Sequence, residues 1–587
     1  MDLGTDSQPS LAKRSECGVG SRMITLMISA KRWTAAYATI FFCVFGCVFV
    51  AEAQKTSATS AAGTASKKTA GASPRPARRA DVVRFESRVS AALDEAKAQK
   101  SFWGILIVDR ETGETVYELN ADKFFTPASN AKIITSSLAF ATLGPDYHFR
   151  TTLETTGKID AAGKLTGDLV LVGRGDPNLS NRVFPYAGKA ERDGPVEKVL
   201  YELADAAIAK GVREIDGNVV ADDSFYPYDP YPAGWNVGDL FFTYGAPVSA
   251  ICFNDNSFVV EVSPGANVGD PAVIAVQPAA ALGTFTQTIV TSPAGDKPNF
   301  SVTRQPGTNF IYLRGVIPQG HASVKLDLAM SDSTAIAAEA LKQVFEARGV
   351  HVTGTATVHH ALPPEIYNDQ DVVLGPAPTP PSPDTQVLAE HLSPTLLETA
   401  RLTNKVSQNL HAELLLRAVA YAKKGFGVTD AGVWTEKDFL ASIGVADGDV
   451  TLEDGSGLSG NDLVTPRALV QVLRYDAQQP WGDSYISTFP VAGVDGTLET
   501  RMKKTMAEGL ISAKTGSLSH VRSMSGFATT LRGEKLVFSI FGNNNNQPGH
   551  DAQNVIDAIG VAMVETLGAT PPAKVGPQAK KRKNSAQ

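Results

Sequence analysis

Cysteine is nearly absent from the part of the chain that would fold. Of four cysteines in 587 residues, Cys17, Cys43 and Cys47 lie in the N-terminal fifty, which leaves Cys252 alone. No disulfide framework is available, so a stable fold must rest on a hydrophobic core, which a chain of this length can supply. Histidine is also scarce, at nine residues, and the pair His359-His360 has no cysteine or acidic cluster at metal-ligand spacing. No metal and no cofactor are expected. A large excess of one charge is missing too: the net charge is −7, with no basic face running along a domain. Nucleic acid is thereby excluded as a partner. The 43% hydrophobic and 20% charged residues are those of an ordinary globular protein.

Long apolar runs are lacking, with one exception. Lys31-Arg32 precede "WTAAYATIFFCVFGCVFV", and Ala51-Glu52-Ala53 supplies a small-residue cleavage pattern, so residues 1–53 read as an export signal. The run is about as long as a bilayer is thick, and an uncleaved anchor with loose membrane association is the alternative. The stretch before Lys31 is long for a signal, and Met23 or Met27 would also serve as a start. Cys47 is preceded by Phe45-Gly46 and followed by more apolar residues, which fits the apolar run better than a lipid-attachment site. Residues 54–80, rich in Ala, Ser, Thr and Lys, read as a flexible linker, and 571–587 as a disordered tail. The mature protein is expected in the periplasm or cell envelope.

Between linker and tail the patterning changes twice. Arg84 to Lys100 keeps helical spacing, and "FWGILIVDRETGETVYELN" alternates as a hairpin with Glu111-Thr112-Gly113 at its turn. From about 156 to 370 come short β-rich runs such as "LTGDLVLVG", "SFVVEVS" and "NFIYLRGVI", interrupted by one helical passage, "DSTAIAAEALKQVFEARG", and closed by a Pro-rich seam near 384. Helical runs return from Thr395 to Lys423, followed by strand-like "SMSGFATTLRGEKLVFSIFGN" and an amphipathic helix from Ala552 to Leu567. The block 156–384 therefore reads as a β-rich insertion, in one or two subdomains, into an α+β domain whose halves are 81–155 and 385–570.

The chemistry starts at "FFTPASNAKIITSSLAF", where Ser129 and Lys132 fall at i and i+3 of a predicted helix. Such residues share a helix face. A serine hydroxyl becomes a nucleophile when a base takes its proton, and a lysine amine serves once burial or nearby cations lower its pKa. The helix N-terminus adds backbone N–H groups where an oxyanion would form. An S-x-x-K alone is common on surface helices. Here Ser407 and Asn409 follow in S-x-N spacing before a second helix, and Lys514-Thr515-Gly516 enters a strand. The three motifs in that order are the signature of penicillin-binding proteins and class A β-lactamases.

The surrounding text, including "LVGRGDPNLS", "DDSFYP" followed by Trp235, "LEDGSGLS", "TPRALVQVL" and "VAGVDGTLETRM", resembles the D-alanyl-D-alanine carboxypeptidase/endopeptidase family of low-molecular-mass class C penicillin-binding proteins (peptidase family S13). The likeness runs from about 82 to 568. It implies an α+β fold, a penicillin-recognising serine-peptidase domain of β-lactamase/transpeptidase type, with a large insertion between Lys132 and Ser407. It also implies attack by Ser129 on the carbonyl between two D-alanines of a peptidoglycan stem peptide, with Lys132 as base and Ser407 relaying a proton to the leaving amine. Asn409 would hold the substrate's amide, and Lys514 would keep the site electropositive and help lower the Lys132 pKa. Thr515 and Ser517 would bind the terminal carboxylate across Gly516, with the N–H groups of Ser129 and Ser517 as oxyanion hole. β-Lactams would acylate the same serine. The alternatives are a catalytically weak penicillin-binding wall protein acting through its insert, and a β-lactamase, for which no deacylation glutamate can be placed.

Some positions depart from the family's pattern. Gln408 replaces a frequent Asp, Gly460 stands where relatives commonly carry Arg, and His520 and Arg522 are bulkier or more polar than expected beyond K-T-G. Asp223 is read either as a contact for a cationic stem-peptide group or as a turn residue. Asp176, Asp454 and Asp495 are read as turn formers, and the asparagines 543–546 as a polar loop without assigned chemistry.

Overall fold

Along "FWGILIVD", alternate residues point to opposite faces, and both faces find a core. Phe102–Asp109 pairs antiparallel with Thr115–Leu119 on one side and with Lys535–Asn543 on the other, and Val521–Thr529 and Ile511–Leu518 complete a five-stranded antiparallel sheet. These relationships come from a computed structural model that describes residues 79–568 except 96–97, 189–191, 284, 305–309, 363–381 and 547–548. The export signal, linker and tail read from the sequence lie outside the described residues. No helix among the described residues is long and apolar enough to cross a membrane.

On one face of this sheet Ile105 and Ile107 pack with Met524, Phe538 and Ile540 against Phe85 and Val89 of the helix Ala80–Leu93 and Ile556, Ile559 and Met563 of the helix Gly549–Thr566. On the other, Leu106, Val108, Val537 and Phe541 meet Ile133, Ile134 and Leu138. Each such side chain contributes roughly 1.5–3 kcal/mol by leaving water. The sheet thus joins strands from before residue 120 to strands after residue 510. Its middle pairing, Ile105 opposite Ile540, brings the serine helix and the K-T-G strand onto one scaffold.

The intervening region forms its own core, from Leu153 through Phe258 and Ile289 to Phe345. It holds a five-stranded sheet in which Arg150–Thr155 pairs antiparallel with Gln386–Leu392. These two strands flank the region read from the sequence as an insertion, and they hydrogen-bond to each other at the edge of its sheet. Among the described residues of this region two α-helices are found, Lys198–Ala209 and Ser333–Ala347, where one was expected. The first buries Val199, Leu200, Leu203, Ala204 and Ala207, a helical period that stands amid β-rich text.

The helix Ala131–Leu143 is buried at every position from Ala131 to Phe140, as befits a helix enclosed on all sides. Its polar residues are satisfied internally: Ser136 Oγ donates to the Lys132 carbonyl at 2.6 Å and lies 2.9 Å from Tyr485 Oη.

Candidate active site

Ser129 sits on a single 3₁₀ turn, Ala128–Asn130, that runs directly into the helix Ala131–Leu143. Ala128 before it has φ +49°, a left-handed conformation that costs a residue with a Cβ about 1–3 kcal/mol and persists only where the surroundings impose it. The surroundings here are specific. Ser523 Oγ donates to the Pro127 carbonyl at 2.8 Å, and Asn130 Nδ2 donates to Ser525 Oγ at 2.9 Å. A Cβ on Gly516 would stand 2.6 Å from the Pro127 oxygen, and one on Gly457 only 1.9 Å from the Ala128 oxygen. The glycines of "KTG" and "GSGLS" therefore let two backbones close on the serine turn.

Lys132 is fully buried, and its Nζ reaches three oxygens: Ser129 Oγ at 3.0 Å, Asn409 Oδ1 at 2.6 Å and the Ser456 carbonyl at 2.6 Å. Burial lowers its pKa to about 8, against the opposing pull of Asp454, Glu413 and Asp462. A neutral amine has two hydrogens and one lone pair. With Asn409 Oδ1 and Ser456 O taking the hydrogens, the lone pair faces the Ser129 hydroxyl, the geometry a general base requires.

Ser407 links the helices Leu396–Val406 and Asn409–Lys424 in a left-handed conformation, φ +62°. Its Oγ accepts from Lys514 Nζ at 2.9 Å, and Lys514 also donates to the Thr515 carbonyl at 2.8 Å. Burial, then repulsion from Lys132, push the Lys514 pKa well down. Two ammonium groups this close oppose each other's protonation, and burial is the largest cause of the lowering at both lysines. Gln408 caps the second helix, its Oε1 accepting the Leu410 N–H at 3.3 Å. Thr515 is 8% exposed and Ser517 stands in solvent on the same strand.

Sequence reasoning missed four participants. Thr497 Oγ1 lies 2.7 Å from Thr515 Oγ1. Ser456 supplies the third oxygen around Lys132. Asp454, read as a turn former, is completely buried and accepts the N–H groups of Ser456, Gly457, Leu458 and Ser459 at 2.6–3.2 Å. Tyr244, in the inserted region, accepts from Asn409 Nδ2 at 2.8 Å through its carbonyl. All but Tyr244 stand in stretches that carried the family likeness, but spacing alone did not mark them.

The profile of the D-Ala-D-Ala carboxypeptidase 3 (S13) family matches residues 85–565. The chain belongs to this family. Among S13 relatives, it is 32% identical over 504 residues to the D-alanyl-D-alanine carboxypeptidase of Actinomadura sp. (strain R39), covering 84% of this chain and 87% of that one. It is 29% identical over 446 residues to the D-alanyl-D-alanine carboxypeptidase DacB of Haemophilus influenzae, covering 75% and 85%. The crystal structure of penicillin binding protein 4 (dacB) from Haemophilus influenzae superposes with TM-score 0.66 at 26% identity, over 81% of this chain and 98% of that one. The same protein complexed with a β-lactam gives 0.63 at 25% identity, over 82% and 99%. The penicillin-recognising α+β fold with its large β-rich insertion, expected from the S13 motifs, is the fold of this chain.

Of the remaining residues singled out from the S13 likeness, Asp223 stands apart. It is 1% exposed, and its carboxylate takes Ser249 Oγ and Thr334 Oγ1 at 2.8 Å and pairs with His360 Nδ1 at 2.9 Å, all within the inserted region. It does not join the cluster around Ser129. His359 pairs with Asp222. Asp495 accepts from Lys405 at 2.6 Å and from the Val491 N–H at 2.8 Å. His520 lies at the hairpin turn after K-T-G with φ +64°, braced by Asn545, and Arg522 donates to the Leu518 and Val521 carbonyls. A Cβ on Gly460 would meet open space. Among the described residues one group has metal-ligating atoms close together, Cys252, Asp255 and His411. Asp255 already pairs with Arg182 and Arg192, and two guanidiniums beside it repel a further cation.

Proposed function

We propose that this protein hydrolyses the bond between the two terminal D-alanines of peptidoglycan stem peptides, and opens D-alanine cross-links, through an acyl-enzyme on Ser129. The observation that carries the reading is the buried Lys132 amine, with pKa lowered to about 8, hydrogen-bonded to Ser129 Oγ at 3.0 Å. Lys132 takes the hydroxyl proton as Oγ bonds to the substrate carbonyl carbon. The N–H groups of Ser129 and Ser517 receive the oxyanion. Collapse breaks the C–N bond, and Ser407 passes a proton to the departing amine. Asn409 aligns the peptide, Lys514 orients Ser407, and the hydroxyls of Thr515 and Ser517 hold the terminal carboxylate beside Gly516. Water then repeats the sequence on the ester, releasing the shortened peptide. A β-lactam enters the same path and acylates Ser129.

On this reading the catalytic unit is 81–155 with 385–570, carrying 156–384 as its insert, and the chain is exported to the periplasm or cell envelope. Intact-protein mass spectrometry with a penicillin, beside Ser129→Ala, tests the nucleophile, and D-alanine release from a pentapeptide tests turnover. A penicilloyl adduct lost in the variant, together with D-alanine release, is expected. An adduct without release would favour a binding protein acting through its insert, and no adduct at all would overturn the assignment of Ser129.

A further inference from the structure

A general base must have its lone pair aimed as well as free. The two acceptors that aim Lys132, Asn409 Oδ1 and the Ser456 carbonyl, are each held by a partner from the inserted region. Asn409 donates its Nδ2 to the Tyr244 carbonyl at 2.8 Å. Ser456 is held through Asp454, around which residues 454–459 are wound. Its two oxygens accept four successive backbone N–H groups, the Ser456 hydroxyl at 3.1 Å, and Trp235 Nε1 of the inserted region at 2.8 Å. Six donors converge on its two oxygens, with the Asp462 carboxyl also hydrogen-bonded to it, so the group fixes the course of the loop that carries the Ser456 carbonyl. The approach of the inserted segment is close: a Cβ on Gly234 would stand 2.1 Å from Ser459 Oγ.

We propose that Asp454, gripped by Trp235, is a positioning residue that fixes the orientation and the protonation of Lys132, so that the inserted region takes part in the reaction through its hold on the base. This rests on Lys132 being the base. The charge has one sign of effect: an anion near the amine favours its protonated form. The other groups facing Lys132 are Glu413 from the helix Asn409–Lys424, Asp462 from the loop beyond Ser459, and Lys514 from the K-T-G strand. Glu436, from the helix Thr429–Ser442, faces Glu413 and Asp454. Burial raises Glu413 to about 8 and pushes Glu436 and Asp462 well up. Below their raised pKa values these three hold their protons, and among the carboxyls around Lys132 Asp454 is the one whose oxygens accept four backbone N–H groups, a hydroxyl and an indole N–H.

The test is the pH dependence of Ser129 acylation by a chromogenic β-lactam, in the full mature protein, with Asp454→Asn and Trp235→Phe. In the wild type the rate rises with pH around 8 as Lys132 loses its proton. Asp454→Asn is expected to move this midpoint down by about half a pH unit or more, with a lower plateau. Trp235→Phe keeps an aromatic body but removes the N–H that spreads the carboxylate charge, and is expected to move it up. Unmoved midpoints in both variants, even with slower acylation throughout, would overturn the proposal and leave Asp454 a loop-former. If Asp454→Asn does not fold, the midpoint of Trp235→Phe decides by the same criterion. A wild type that is acylated without any such pH limb would instead count against Lys132 as base.

Discussion

Lys514 Nζ donates to Ser407 Oγ across 2.9 Å, and this contact ties the K-T-G strand to the corner between two helices. Because the lysine is the donor, Ser407 keeps its own proton for another partner. That is the arrangement a relay to a leaving amine needs.

Ser407→Ala is therefore expected to slow D-alanine release about 10²–10⁴-fold, while stability falls by about 1–3 kcal/mol because the fully buried Lys514 amine loses an acceptor. Single-turnover kinetics beside a melting curve checks both. Release within about threefold of wild type would remove Ser407 from the proton path.

Gln408 stands in the middle of the S-x-N motif, and its Oε1 caps the following helix at a long 3.3 Å. Asp is among the better N-cap residues because its shorter side chain reaches the first-turn N–H groups directly. Gln408→Asp is expected to raise the melting temperature by an amount equivalent to about 0.5–1 kcal/mol and to leave penicillin acylation unchanged. A fall in acylation would mean that residue 408 touches substrate after all.

Asp176 gives a pH signature. It is fully buried, with Oδ1 accepting the Asn178 N–H at 2.8 Å and Oδ2 facing His391 Nε2 at 3.5 Å. Burial raises its pKa to about 7. An acid whose folded pKa is raised binds its proton more tightly in the native state. Its contribution to stability therefore falls as pH rises from the unfolded value of about 3.9 to about 7, and is level beyond. Asp176→Asn keeps an acceptor for Asn178 and removes this penalty. The variant should gain on the wild type between pH 4 and pH 7 in paired denaturation curves. A constant difference across that range would show that Asp176 is not the group responsible.

How far the site was legible follows from sequence distance. Ser129 and Lys132 lie three residues apart at the start of a helix, a spacing that pointed to chemistry only together with the two later motifs. Ser407, Asn409 and Lys514 were legible through their motifs, each a short string with a local reason. The link from Trp235 to Asp454 spans 219 positions, and no period or motif predicts which indole meets which carboxylate. Asp454 was read as a turn residue, and it does shape a turn, but its burial and its sixth donor come from tertiary packing. Asp223 was read either as a contact for a cationic stem-peptide group or as a turn residue, and its partners Ser249, Thr334 and His360, 26 to 137 positions away, carry no sequence signal. The central sheet was legible because period-2 runs such as Ile105 to Val108 face a core on both sides. The helix Lys198–Ala209 was not, because its apolar positions lie among strand-like neighbours.

Asp255 is the remaining buried charge with a clear consequence. It stands between Asn254 and Asn256, all three with φ between +51° and +55°, and it joins the inserted region to the helix carrying Asn409. It pairs with Arg182, with Arg192 at 2.6 Å and with His411 Nε2 at 3.1 Å. Burial alone would raise its pKa, but Arg182, His411 and Arg192 together hold it well below the usual range. A depressed carboxylate adds stability above its unfolded pKa of about 3.9, and that stability is lost as pH falls through the folded value. Asp255→Asn leaves the mostly buried Arg182 guanidinium, the fully buried His411 and the partly exposed Arg192 without their counter-charge, and breaking a buried pair costs about 3–5 kcal/mol. Denaturant unfolding at neutral pH should show that loss, and the gap between variant and wild type should close in strong acid. A neutral-pH difference below about 1 kcal/mol would show that the pair is screened like a surface bridge.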